Sequence, residues 1–254
     1  MSSEIASATT RRARQRDEAR ERQRAETKAE ILGHARRLLV AEGPAAVSLR
    51  AIAREMGMTA PGLYRYYADH RELVQALTAA VYDELAAALE HARDQAPDQS
   101  LQGRFSATAR ALRSWALSHE AEFALVFSKP LPDSGNGPED PSHAAAWRFG
   151  GVFLELMLDF WRAGTLPLPE PGTLDAQWLR QLAEVREHID SEQPPLEALY
   201  VVVLCWSRLY GMVSIEVFGH LDFALTDSEP VFEHTLRDVL RLLGGDPAGD
   251  LRNT

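Results

Sequence analysis

The chain has 254 residues, of which 45% are hydrophobic and 25% charged, with a formal net charge of −10 and a single cysteine. This composition is that of a globular protein and excludes a chain that is disordered throughout. The lone Cys205 excludes an internal disulfide framework and a zinc site built on clustered cysteines. The chain has no uninterrupted apolar run of about 18 residues and no apolar stretch like that of a signal peptide. We therefore expect a soluble cytoplasmic protein and no membrane partner.

Charge is distributed unevenly along the chain. Residues 1–80 carry 14 basic and 10 acidic side chains, whereas the remainder carries 13 and 27. A polyanionic partner is therefore expected to meet only the N-terminal third. We expect residues 1–10 to be disordered and residues 1–24 to form a flexible basic arm, although Arg11–Arg24 could equally be a fraying helical extension. The arm either adds affinity for a nucleic-acid backbone or is a solvated tail.

The first segment with helical periodicity runs from about Thr27 to Glu42. Gly43-Pro44 is expected to end it, because glycine caps helices and proline cannot continue one. Ser48 is positioned to cap a short second helix, which Gly57 breaks.

A third helix and a long fourth helix follow. Thr59 is positioned to cap the third helix, with Pro61 in its first turn, where a missing N–H does no harm. Asp69 and Glu72 have the spacing of a capping box and open a helix that reaches about His91.

In the rest of the chain, apolar residues also recur at helical spacing, and no strand-like alternation of apolar and polar residues is sustained. We therefore predict an all-α protein of nine or ten helices. A helix-turn-helix domain is expected over residues 25–72 and a helical bundle over 73–254. The later helices are expected at about 100–119, 120–129, 142–163, 174–190, 196–218 and 229–243.

The two short helices joined by Gly57-Met58 match a helix-turn-helix pattern, in which the second helix enters the major groove of DNA. Small residues at the start of that helix would let its backbone approach DNA, while tyrosine and arginine side chains can reach phosphates or base edges. The same pattern also occurs inside ordinary helical bundles, where the tyrosines are core residues. The candidate DNA contacts are Arg50, Thr59, Ala60, Pro61, Gly62, Tyr64 and Tyr66.

The residues from Val47 to Tyr67, VSLRAIAREMGMTAPGLYRYY, resemble the DNA-binding signature of TetR-family transcriptional regulators. The resemblance runs from about Ala29 to Ala80. It implies a homodimer that binds a palindromic operator and a C-terminal domain that senses a small molecule. It places the seven candidates at DNA-facing positions, assigns Tyr67 to the core, and puts His70 where the family often has a phosphate-binding lysine.

Two later segments, Trp115–Phe127 and Trp206–Glu216, resemble the subgroup with a Trp-His-Gly-type C-terminal domain. The motif histidine of that subgroup corresponds to Tyr210 in this chain. The family places its dimer interface in the last two helices, here about 196–218 and 229–243, although the same apolar stripes would also suit the core of a monomer.

Aromatic side chains are concentrated in the predicted C-terminal domain. They either fill its core or line an apolar cavity for a small effector. The segment between 164 and 193 is longer than a bundle needs and is either a lid over that cavity or a surface insertion. The candidate cavity residues are Trp115, Phe123, Phe127, Phe153, Met157, Trp161, Trp178 and Trp206.

No sequence motif of an enzyme is present, so we expect no catalytic activity, no cofactor and no metal. The leading hypothesis is a repressor that binds its operator as a homodimer and is released by a small apolar or amphipathic molecule. Two alternatives stay open: a small-molecule-binding helical protein whose head does not bind DNA, and a DNA-binding protein without sequence specificity.

Overall fold

The computed structural model describes residues 2–127, 140–170, 172–187, 189 and 193–245, with side chains described from residue 14 onward. These residues form ten α-helices and one short 3-10 turn, and no strand occurs among them, which confirms the predicted all-α fold. The helices are α1 Ser2–Glu42, α2 Leu49–Glu55, α3 Ala60–Leu63, α4 His70–Asp94, α5 Leu101–Ser118, α6 Glu120–Phe127, α7 Pro141–Arg162, α8 Ala176–Arg186, α9 Leu196–Val217 and α10 Glu229–Leu242.

Helix α1 is longer than its apolar periodicity indicates. It starts at Ser2 rather than near Thr27, so the expectation of disorder for residues 1–10 is wrong. Of the two possibilities for Arg11–Arg24, the structure shows the helical extension. The extension has no apolar stripe, but Arg, Glu, Ala and Gln all have high intrinsic helix propensity. Propensity, rather than burial, therefore accounts for the helix before Thr27.

The chain divides into two compact units. The N-terminal unit comprises Met1–Val81 and Ala121–Ala144, and the C-terminal unit comprises Tyr82–Glu120 and Ala145–Thr254. Helix α4 is continuous through the point at which the chain passes from one unit to the other. The expected domain boundary at 72/73 does not coincide with this division, because the N-terminal unit also includes the first part of α4 and all of α6 except Glu120.

The N-terminal unit is organised around a core contributed by α1, α2, α3 and the start of α4. Ile31, Ile52, Leu63 and Leu73 are each completely buried in it. Partly buried side chains of α6, including Leu125, pack against the same core. This packing explains why α6 groups with the helix-turn-helix although it follows α5 in the chain.

The C-terminal unit is organised around α9, which contacts α5, α8 and α10. By length and composition alone, α9 is apolar enough to cross a membrane, with a mean hydropathy of 1.6 over its most apolar window. Arg208 interrupts the apolar run of this segment, so the sequence alone does not indicate a membrane span here. Leu199, Cys205, Leu209 and Val213 of α9 are buried, which accounts for part of its apolar composition by packing within the protein.

Candidate nucleic-acid interface

The two short helices of the N-terminal unit begin at side-chain caps, as the sequence predicts. The Ser48 hydroxyl oxygen accepts a hydrogen bond of 3.2 Å from the Ala51 N–H, and the Thr59 hydroxyl oxygen accepts one of 3.3 Å from the Gly62 N–H. Between them, Gly57 has a φ of 64°, a left-handed conformation that glycine adopts without steric cost. The caps and the turn therefore fix the direction in which α3 leaves α2.

Most of the candidate DNA contacts in this helix-turn-helix are open to solvent. Arg50, Thr59, Pro61 and Tyr64 are exposed, with Tyr64 at 47%, and Ala60 is half-buried. We call these five residues the recognition surface. Leu63, the residue just before the exposed Tyr64, is completely buried, as predicted. The predicted helix phase is therefore correct.

The three neighbouring tyrosines have different environments. Tyr64 is exposed, Tyr66 is half-buried and Tyr67 is 2% exposed, so the assignment of Tyr67 to the core is confirmed. Burial raises the pKa of Tyr67 to about 12, and the carboxylate of Glu72 adds to this shift. Neutral Tyr67 belongs to the packing of the unit, and Tyr64 is the one exposed tyrosine of the three.

Three of the candidate DNA contacts have intramolecular partners that the sequence did not indicate. Gly62 is buried, and a Cβ built on it would lie 3.2 Å from the Thr59 hydroxyl, so its small size serves the cap. The Tyr66 ring packs beneath the Arg24 guanidinium, 5.8 Å from ring centre to guanidinium carbon. The exposed His70 places Nε2 2.8 Å from the Val47 carbonyl oxygen, so this ring nitrogen is its donor.

The start of α4 beside this surface is closed by Asp69 and Glu72 in a variant of the predicted capping box, in which the return bond goes to Ala68 rather than to Asp69 itself. Asp69 accepts a hydrogen bond of 2.8 Å from the Glu72 N–H, and Glu72 accepts one from the Ala68 N–H. The box fixes the corner between α3 and α4, which carries Tyr66, Tyr67 and His70.

The residues predicted to line an effector cavity lie in several places. Phe123 and Phe127 of α6 contact each other with tilted rings, whose centres are 4.5 Å apart, and belong to the N-terminal unit. In the C-terminal unit, Phe153 is 2% exposed, and its ring centre lies 5.5 Å from that of the half-buried Trp206. Phe149, which was not among the candidates, contacts both of these rings.

The remaining candidates of the C-terminal unit have other neighbours. Trp115 is stacked on His119 with ring centres 4.6 Å apart, and its indole N–H points to Glu84 at 3.4 Å. Trp178 of α8 is 39% exposed and meets Tyr200 edge to face. Met157 is completely buried, whereas Trp161 is half-buried.

Helices α9 and α10 both contribute to the core, and exposed apolar side chains occur near the end of α9. Arg113 of α5 donates to Glu216 of α9 at 2.7 Å, and Arg110 donates two hydrogen bonds of 2.8 Å to Glu233 of α10. These ion pairs tie both helices to α5. At the end of α9 and in the following turn, Ile215, Phe218 and Phe223 are exposed, with Phe223 at 88%.

Nothing in the described part of the chain suggests a metal centre, since no three His, Cys, Asp or Glu side chains are grouped there as ligands. Cys205 is completely buried in α9, and this burial raises the pKa of its thiol to about 12. A thiol that stays protonated is a poor nucleophile.

Comparisons with known proteins agree with the helix-turn-helix geometry. The profile for bacterial regulatory proteins of the tetR family matches residues 31–77, and the profile for the tetracyclin repressor-like C-terminal domain matches residues 105–239. The HTH-type transcriptional regulators Mb1846 of Mycobacterium bovis and Rv1816 of Mycobacterium tuberculosis are each 32% identical over 87% of this chain and 93% of their own.

Solved structures show the same fold. The crystal structure of SCO4313 has a TM-score of 0.66 and 31% identity, covering 87% of this chain and 98% of its own. A protein of unknown function from Rhodococcus sp. RHA1 shares the fold, with a TM-score of 0.61 and 22% identity over 83% and 94% of the two chains. The two profile matches and the full-length relatives show that the chain belongs to the TetR family of DNA-binding transcriptional regulators.

Proposed function

We propose that this protein is a repressor that binds a palindromic operator as a homodimer in the cytoplasm and is released by a small molecule. The observation that carries the proposal is the recognition surface: four exposed residues and one half-buried residue of a capped helix-turn-helix, with the neighbouring Leu63 completely buried. In this geometry the second short helix enters the major groove with its N-terminal end first.

The recognition surface offers both base-reading and backbone-binding groups. Arg50 can donate two hydrogen bonds to a guanine, while Tyr64 can reach a base edge or a phosphate. Pro61 and Ala60 offer apolar contacts to a thymine methyl group. Gly62, Tyr66 and His70 then act mainly by holding this surface in position, through the contacts that each makes within the unit.

Dimerisation is proposed through the exposed faces of α9 and α10. The apolar side chains of Ile215, Phe218 and Phe223 are exposed to water. Burying them against a second copy would stabilise a dimer by about 25 cal/mol for each Å² of apolar surface removed from water. An isologous dimer presents two recognition helices related by a twofold axis, which matches a palindrome.

The small molecule is proposed to bind among the aromatic side chains of the C-terminal unit, near Phe153 and the half-buried Trp206. We expect an apolar or amphipathic compound because the surrounding side chains are chiefly aromatic. Such a ligand can shift the protein toward a non-binding arrangement only by its difference in affinity for the two arrangements, typically about 1–3 kcal/mol. The continuous helix α4, which contributes residues to both units, is the element on which this shift would act.

Selection of duplexes from a random pool by the purified protein tests the proposal. A repressor of this kind enriches a palindrome whose half-sites are centred about one helical turn apart. Enrichment of no sequence, with salt-sensitive binding to every duplex, would indicate a DNA-binding protein without specificity. Failure to bind any duplex would indicate a head that has lost DNA binding.

A further inference from the structure

The N-terminal part of α1 carries cations at a regular spacing. Arg16, Arg20, Arg24 and Lys28 follow one another at intervals of four residues within the continuous helix Ser2–Glu42. Residues four apart lie on the same face of an α-helix, so the four side chains form one stripe along α1. We call Arg16, Arg20, Arg24 and Lys28 the cationic stripe.

The C-terminal half of the stripe contacts the corner between α3 and α4. Arg24 donates a hydrogen bond of 3.1 Å from Nη2 to the carbonyl oxygen of Arg65, in the turn just after α3. The Arg24 guanidinium lies over the Tyr66 ring, and Nζ of Lys28 lies 5.1 Å from the centre of the Tyr67 ring. The face of α1 that bears the stripe is therefore the face that meets the end of the recognition helix.

Arg16 and Arg20 continue this face beyond the contacts. A helix rises about 1.5 Å per residue, so Arg20 lies about 6 Å and Arg16 about 12 Å further along α1 than Arg24. Both side chains are exposed, and neither makes an ion pair or hydrogen bond with another residue in the described part of the chain. These two guanidinium groups are free to bind an external anion.

The spacing of the stripe is unfavourable for an isolated helix. Like charges four residues apart destabilise a helix by about 0.2–0.5 kcal/mol per pair. Asp17 lies three residues before Arg20 and Glu21 three residues before Arg24, so both acids border the stripe and offset part of this repulsion. Among the described residues, neither acid forms an ion pair with a stripe side chain. A polyanion placed along the stripe would remove this repulsion.

We propose that Arg16 and Arg20 bind the phosphate backbone of the duplex whose major groove α3 reads, with Arg24 holding the stripe in register with the recognition surface. The inference rests on the proposed DNA binding and adds a second contact surface to it. Because phosphates carry no sequence information, the stripe contributes affinity without specificity.

Two double variants of the same helix separate contact from general charge. R16A/R20A removes the free part of the stripe, whereas R14A/R22A removes two exposed arginines from the opposite face and lowers the charge equally. Alanine is the strongest helix former, so neither variant weakens the helix by propensity. R16K/R20K keeps both charges and is expected to retain most of the phosphate binding.

The measurement is the salt dependence of binding to two duplexes of equal length, the selected palindrome and an unrelated sequence. For R16A/R20A the slope of log K against log salt should fall by about 1.8 in magnitude per protomer, since each lost phosphate contact contributes about 0.9. The preference for the palindrome should be unchanged, and R14A/R22A should keep the wild-type slope.

Equal slopes for the two alanine variants, whether both are reduced or both unchanged, would overturn the assignment of the stripe. A loss of preference for the palindrome in R16A/R20A would equally contradict a backbone-only role. Failure of the wild-type protein to bind either duplex would contradict the proposed function itself, and the inference would fall with it.

Discussion

Arg36 on α1 donates a hydrogen bond of 2.7 Å from Nε to a carboxylate oxygen of Glu122 on α6, 86 residues further along the chain. The Glu122 side chain is 5% exposed and the Arg36 side chain 31% exposed. Together with Leu125 against the same core, this ion pair makes α6 part of the unit that contains the helix-turn-helix.

Replacing Arg36 by alanine should destabilise the protein, because it leaves the Glu122 carboxylate buried without this partner. Partial exposure of Arg36 moderates the cost, so we expect the free energy of unfolding to fall by about 1–3 kcal/mol. Arg37→Ala, at the exposed neighbouring position, should change it by less than about 0.5 kcal/mol. Equal denaturation midpoints for the two variants would show that the ion pair contributes no stability.

Tyr67 should make stability depend on pH in the alkaline range. Its pKa is raised by burial to about 12 in the folded protein, against 10.0 for an ordinary tyrosine, so folding favours the protonated phenol. This contribution is present in full below about pH 10 and is lost as the pH rises through about 12.

Tyr67→Phe removes the titrating group and nearly preserves the side-chain shape. The stability difference between wild type and Tyr67→Phe should therefore decline between pH 9 and pH 12, as measured by urea denaturation. Other alkaline groups titrate in both proteins and cancel in this difference. Parallel stability curves over that range would contradict the burial of the hydroxyl.

Cys205 should be unreactive in the folded protein. Its thiol is completely buried, and burial raises its pKa to about 12 although Arg208 acts in the opposite direction. We expect a thiol reagent at pH 8 to modify the protein only in step with unfolding across a denaturant series. Rapid stoichiometric modification of the native protein would place Cys205 at an accessible surface.

Phe153 should be a larger contributor to stability than Trp161. Phe153 is 2% exposed and lies between the rings of Phe105 and Trp206, whereas Trp161 is half-buried at the end of α7. Phe153→Ala should cost about 3–5 kcal/mol, and Trp161→Ala clearly less. If Phe153→Ala leaves the melting temperature unchanged, the ring lines open space, as an effector cavity requires.

Local signals in the sequence predicted most of the fold. Gly43-Pro44 ends α1, and Ser48 and Thr59 cap the short helices because capping depends on residues three positions away. The same helical spacing separated the exposed Tyr64 from the buried Leu63 and Tyr67.

Contacts between distant residues were not predictable in this way. The pairing of Arg24 with Arg65, of His70 with Val47 and of Arg36 with Glu122 spans 41, 23 and 86 residues. Local periodicity does not encode such distant partners. The sequence therefore could not show which candidate DNA contacts, such as Tyr66 and His70, are held by other parts of the unit. The four-residue spacing of the arginines in α1 is visible in the sequence. Only the contacts of Arg24 show which part of the N-terminal unit the stripe faces.

The side chain that tests the recognition surface most directly is Tyr64, which is 47% exposed at the end of α3. The decisive measurement is the ratio of dissociation constants for an unrelated duplex and the selected palindrome, compared between wild type and Tyr64→Ala at one salt concentration. We predict a ratio of about 10³ or more for the wild type and a fall of at least about tenfold for Tyr64→Ala at an unchanged melting temperature. A wild-type ratio near one would contradict sequence-specific DNA binding. A Tyr64→Ala protein that keeps the ratio but melts at a lower temperature would contradict the role of Tyr64 in the recognition surface.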